Sequence, residues 1–288
     1  MIELGRFAAA IGLLGHVLAA EPDSGRGWCL LARAQLGAGR PADALASARR
    51  AAVLDPADDW PGRLASTALV TLGRHADAVA AAAQSRRTAP QHWRPHVCLA
   101  QAAAAAGQHE VAAEAAAQAL ALAPEEPDVH VTAGKAALGR GDLRTAAACQ
   151  RAALALEPGH AGALNELGLI SLGARDPAAA ACYFAQAARA APASAVFGRN
   201  AEVALARTVI SVARLAAMLG VLAASAVALG VRRYELVIVL PAGCAGVVTW
   251  RLVATIQKLP GPARRRLRWL VHASGVRARR RTVRGAAG

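Results

Sequence analysis

Residues able to do chemistry are present in this chain, but their spacing does not assemble a reaction centre. His92 and His96 stand four residues apart, a spacing that sets two imidazoles on one helix face for a metal, yet Pro95 and an expected helix boundary fall between them. Cys29, Cys98, Cys149, Cys182 and Cys244 are far apart, with no Cys-x-x-Cys pair, and read as reduced, packed thiols. Acidic residues mostly punctuate expected helix starts, as at Asp23, Asp58 and Asp128, where a carboxylate suits exposed backbone amides. The sequence has no glycine-rich phosphate loop, no His-Glu-x-x-His and no Gly-x-Ser-x-Gly. It therefore predicts a protein that is not an enzyme, with no catalytic residues, metal or cofactor.

What remains is charge. The formal net charge of +14 is concentrated at one end. Residues 1–192 hold 17 basic and 17 acidic side chains, so that stretch is neutral. The remaining 96 residues hold 16 basic residues against Glu202 and Glu235. Ten of the basic residues follow Gln257, with no acid among them. Arg264, Arg265, Arg266 and Arg268, beside Trp269 and Leu270, form a basic amphipathic stretch suited to anionic lipid. Arginine blocks also attract nucleic acid, but an adjacent apolar run favours lipid.

The elements carrying these residues are helical. Apolar residues make up 55% of the chain and aromatics only 3%, and the excess is alanine, which costs a helix no side-chain entropy. Pro22, Pro56, Pro90, Pro124, Pro158 and Pro192 are spaced 34 residues apart. Twelve residues before each proline stands an alanine: Ala10, Ala44, Ala78, Ala112, Ala146 and Ala180. Seventeen before stands Gly5, Gly39, Gly73, Gly107 or Gly141, with Arg175 the exception. A glycine there ends one helix in the left-handed conformation, and the proline closes the next. Each period is thus two antiparallel helices, with alanine allowing close backbone approach.

The pattern resembles the tetratricopeptide repeat, a helix-turn-helix unit of 34 residues. Trp28, Leu31, Ala44, Ala51 and Pro56 match its signature, as do Leu164, Leu167, Gly168, Ala180, Phe184, Ala187 and Pro192. The middle repeats depart: His96 and His130 replace the tryptophan, and Ala116 and Gln150 the large aromatic. The resemblance covers residues 1–192 and implies an all-α, right-handed superhelix of about five and a half repeats. The first unit supplies only its second helix, over roughly residues 8–20, leaving Ile11, Leu14 and Val17 without their usual cover. Read instead as a secretory signal, this segment is short, holds His16 and follows Glu3.

The resemblance also implies a function, protein–protein interaction as a scaffold or adaptor. In that family the first helix of each pair lines a concave groove that takes a peptide or a partner's helix. Carried onto this sequence, the inward positions are Arg26, Cys29 and Arg33, then Trp60, Arg63 and Thr67, then Arg94, Val97 and Gln101. Asp128, Val131 and Lys135 follow, then Gly162, Asn165 and Leu169. Of the lysine–asparagine clamp by which some members hold a C-terminal carboxylate, only Lys135 and Asn165 have counterparts. The arginines with Trp60 suit a protein partner with an acidic segment and an apolar anchor.

Beyond residue 192 the ruler stops. Residues 193–207 read as a capping helix with Val196, Phe197, Val203 and Leu205 on its apolar side. Residues 208–231 and 236–256 then read as two transmembrane helices forming a hairpin, because about 20 apolar residues cross a bilayer. Arg214 and Arg251 would snorkel at one interface. The basic tail, residues 258–288, stays inside by the positive-inside bias, and two spans return the chain to its starting side. The expected location is the plasma membrane, with repeats and C-terminus in the cytoplasm.

Overall fold

A computed structural model of the chain describes residues 6–192 and 194–228. It is all-α, with twelve helices and no strand among the described residues. Contacts divide the chain into two units, residues 1–158 and 159–288.

The first unit holds α1 (Phe7–Ala20), α2 (Gly25–Gly37), α3 (Pro41–Leu54), α4 (Trp60–Thr71), α5 (His75–Thr88), α6 (Trp93–Ala105), α7 (His109–Leu122), α8 (Pro127–Gly139) and α9 (Leu143–Leu156). The second holds α10 (Ala161–Gly173), α11 (Pro177–Ala190) and α12 (Ala195–Ala228). Each ruler proline stands one residue after a helix C-cap, where it removes the amide the next turn would need.

The glycine register turns one helix of a pair into the next. Gly39, Gly73, Gly107 and Gly141 take φ of +73° to +78°. The residue after each donates its amide five residues back, as Arg40 does to the Gln35 carbonyl at 2.8 Å. Arg175 breaks the sequence pattern but not the geometry. Its φ is +60°, and Asp176 donates to the Ser171 carbonyl at 2.9 Å in the same way.

The alanine register forms the seam of each pair. Ala44, Ala78, Ala112, Ala146 and Ala180 have no exposed surface, and Ala10 has 4%. One turn after the last of them on α11, Phe184 lies over Gly168, where an added Cβ would fall 2.5 Å from the ring. Gln150 fills the equivalent place over Gly134, fully buried, with Nε2 donating to the Val131 carbonyl at 3.3 Å and Oε1 left without a donor.

The histidines that replace the signature tryptophan keep its bond. Trp28 Nε1 donates to the Pro22 carbonyl at 2.8 Å. His96 Nε2 meets the Pro90 carbonyl at 2.8 Å and His130 Nε2 the Pro124 carbonyl at 2.7 Å. A carbonyl only accepts, so each imidazole carries its hydrogen on Nε2. An N–H six residues after the ruler proline holds the loop to the next helix, whichever ring supplies it.

Asp128 stands in the first turn of α8, at a helix start as expected. Two expectations are corrected. Asp23 does not cap α2; Ser24 does, accepting from the Gly27 amide, while Asp23 pairs with Arg50. In α12, Val196 and Val203 are half exposed, and the buried side is Ala201, Ala204, Leu205 and Thr208, at the three- and four-residue spacing of one helix face.

α1 stands in the register of a second helix and packs against α2. Ala10 and Leu18 are buried and the Phe7 ring covers Gly37, while Leu13 and Val17 stay about half exposed. The expected capping helix and the described part of the first apolar run form one helix, α12. Among the described residues no helix is long and apolar enough to cross a membrane. Residues 229–231, the second apolar run and the basic tail with Arg264, Arg265, Arg266, Arg268 and Trp269 lie outside the described residues.

Candidate functional site

Within the first unit each first helix also touches the next, α2 with α4, α4 with α6 and α6 with α8. These four helices therefore line one side of the unit. Arg63 and Thr67 from α4, Arg94, Val97 and Gln101 from α6, and Asp128 from α8 converge on a cleft of about 210 Å³. All six belong to the inward positions expected from the repeat register. Trp93 and Cys98 complete the lining.

The cleft's charges are tied to one another. Arg63 is paired with Asp59 one turn earlier on the same helix, and both are largely buried. Asp59 Oδ1 lies 3.8 Å from His92 Nδ1, in the loop leading to α6. Arg94 Nη1 stands 3.2 Å from His92 Nε2, and its guanidinium lies over the Trp93 ring at 4.5 Å. A guanidinium only donates, so His92 Nε2 accepts and its hydrogen sits on Nδ1, facing Asp59. This contact holds Arg94 over the indole, and Arg94 forms no ion pair with a carboxylate among the described residues.

The other expected residues are placed differently. Trp60 is half buried against the alanine core and does not line the cleft. Arg26 is exposed on α2, and Arg33 is partly buried, with its Nε unpartnered. Lys135 is exposed on α8. Asn165 belongs to the second unit, 9% exposed, and accepts from Asn200 Nδ2 of α12 at 2.8 Å. Trp93, Asp59 and His92 escape the register because they stand one residue before its first inward position or in the loop. A tryptophan at the mouth of a helix, beside an arginine, was their available signal.

Cys29, Cys98 and Cys149 are unsuited to nucleophilic work. Burial, and next the nearby Asp58, push Cys29 up to about 12. Burial likewise raises Cys98 and Cys149. A protonated thiol is neither nucleophile nor metal ligand. No cluster of three metal-ligating side chains occurs among the described residues.

Helix pairs in a 34-residue register, with their first helices lining a cleft, define a helical-repeat binding protein. The tetratricopeptide repeat matches residues 1–60, 63–127 and 131–195, and the chain belongs to that family. Its members are in general non-enzymatic scaffolds that bind protein or peptide partners. No curated protein matches the chain. Among solved structures, a tetratricopeptide repeat protein from Parabacteroides merdae superposes with TM-score 0.62 at 13% identity, covering 70% of this chain and 79% of that one. TTC0263, a thermophilic protein of the same kind from Thermus thermophilus, gives 0.59 at 20% identity, covering 63% and 99%. A chain of the APC/C hetero-tetramer Cut9–Hcn1 gives 0.60 at 18% identity, covering 70% of this chain, which spans only 40% of that one. At these identities the likeness is one of fold.

Proposed function

We propose that this chain is a membrane-anchored adaptor, which recruits a protein partner by holding an acidic segment of it in the cleft of α4, α6 and α8. The observation that carries this reading is Arg94, over the Trp93 ring and in no ion pair among the described residues, in a cleft whose side chains come from three successive first helices. A stacked guanidinium offers its remaining N–H groups in a fixed fork, the geometry that recognises a carboxylate. Trp93 and Val97 beside it supply an apolar seat for an anchor residue. Arg63 is already neutralised by Asp59, so Arg94 is the main anionic contact, with Arg26 and Arg33 extending the basic strip on α2.

The anchoring rests on the sequence after residue 207. Residues 215–231 run uncharged, residues 236–256 hold only Arg251, and the arginine-rich tail favours the cytoplasmic face and its anionic lipids. This reading makes residues 208–231 and 236–256 the two spans of a hairpin, with repeats and tail inside. A cysteine placed between Arg232 and Glu235 should then react with an impermeant thiol reagent on intact cells, while cysteines added to the repeats should not. Labelled repeats would reverse the orientation.

The binding reading is tested on the full chain solubilised in detergent. Partner recovered on wild type should be lost on the Trp93→Ala and Arg94→Ala variants. Recovery unchanged by both would remove the cleft from the account.

A further inference from the structure

The second helices of the first unit do not crowd together as the first helices do, and between α5 and α7 a cleft of about 720 Å³ opens on the outer side. Arg86 and Arg87, in the last turn of α5, line one wall and Glu114 of α7 the other. Pro90, His96 and Leu122 also line it.

The repeat provides an internal control. One period earlier the positions of Arg86, Arg87 and Glu114 are Ala52, Val53 and Ala80; one period later they are Leu120, Ala121 and Ala148. Apolar residues therefore satisfy the fold at these positions, and packing does not require the charged set. The helix dipole favours cations in the last turn of α5, but it gives no reason for a carboxylate midway along α7. Nor do the charges answer one another, because neither arginine nor Glu114 takes part in an ion pair among the described residues. Arg87 is steadied by Gln84 Oε1, at 3.0 Å from Nε and 2.5 Å from Nη2, which leaves Nη1 open. His96 is held through Nε2 to the Pro90 carbonyl, and its buried Nδ1 has no partner.

We propose that this outer cleft is a second binding site, separate from the groove, for a small zwitterion such as a short peptide with free ends. The carboxylate would lie on the guanidinium groups of Arg86 and Arg87, where charged hydrogen bonds of matched geometry form. The ammonium would lie on Glu114, and the aliphatic body on Pro90 and Leu122. The volume falls within the range of roughly 300–1,000 Å³ usual for small-molecule sites.

Equilibrium dialysis of labelled trialanine against the full chain tests this. Saturable binding is expected with Kd of about 1 mM, as a few charged contacts would give. Arg86→Ala combined with Arg87→Ala, and Glu114→Gln alone, should each weaken it about tenfold, with thermal melts confirming that both variants fold. Trialanine amide and N-acetyl-trialanine should lose as much on the wild-type chain, a comparison independent of any folding defect. No saturable binding, equal binding by the capped peptides, or dependence on the arginines without Glu114 would each overturn the proposal. Loss of binding on Arg94→Ala in place of the cleft variants would put the peptide in the groove and overturn it equally.

Discussion

Arg175 is the residue whose place in the fold is least suited to its type. A side chain with a Cβ costs roughly 1–2 kcal/mol in the left-handed region, where glycine costs nothing sterically. Arg175→Gly should therefore stabilise the second unit by about 0.5–1 kcal/mol, after allowance for glycine's greater freedom when unfolded. Gly107→Ala should destabilise the first unit by a similar amount, and chemical unfolding measures both. If Arg175→Gly brings no gain, strain at this turn is not what the geometry says. Cys29 makes a pH prediction at the same scale. Its folded pKa of about 12 exceeds the ordinary 9.0, so the folded chain keeps a proton that the unfolded chain releases. Its contribution to stability is complete below pH 9 and is lost as pH rises toward 12. Cys29→Ala should flatten the fall of the melting temperature over that alkaline range. Iodoacetamide at pH 8 should leave Cys29 and Cys98 unmodified until the chain unfolds.

At the scale of elements, the alanine seam sets the distance between paired helices. Ala112→Leu or Ala146→Leu adds a branched side chain where no surface is exposed and should cost about 1–3 kcal/mol. Ala57→Leu, at an exposed loop position, should cost little; equal small losses at all three sites would contradict the seam. Gln150 buries an acceptor without a donor, so Gln150→Leu should be neutral or stabilising even though it removes the long bond from Nε2 to the Val131 carbonyl. These elements are legible in the sequence because proline, glycine and alanine act through the backbone, and their consequences do not depend on distant contacts. Ala10 through Ala180 could be placed in the seam from spacing alone. Which side of α12 is buried could not, because Val196 and Val203 are as apolar as Leu205 and only the position of α11 decides among them. Trp60 and Trp93 show the same limit in the groove: both are tryptophans at helix starts packed against buried alanines, but only Trp93 also lines the cleft.

The whole chain joins a neutral array of helix pairs to a strongly basic end. The account assigns recognition to the first and anchoring to the second, so the two should separate experimentally. Changes at Arg94 should alter partner binding without releasing the chain from membranes. Removing residues 208–288 should release it. The central claim is that the partner lies against the first helices, and site-specific photocrosslinking in cells tests it most directly. A benzophenone side chain at Thr67 or Gln101, on the cleft, should give one protein adduct, and Arg94→Ala in the same chain should abolish it. The same probe at Ala148, exposed on the second helix α9, should give none. An adduct of equal yield from Ala148, or one from Gln101 that survives Arg94→Ala, would contradict the account.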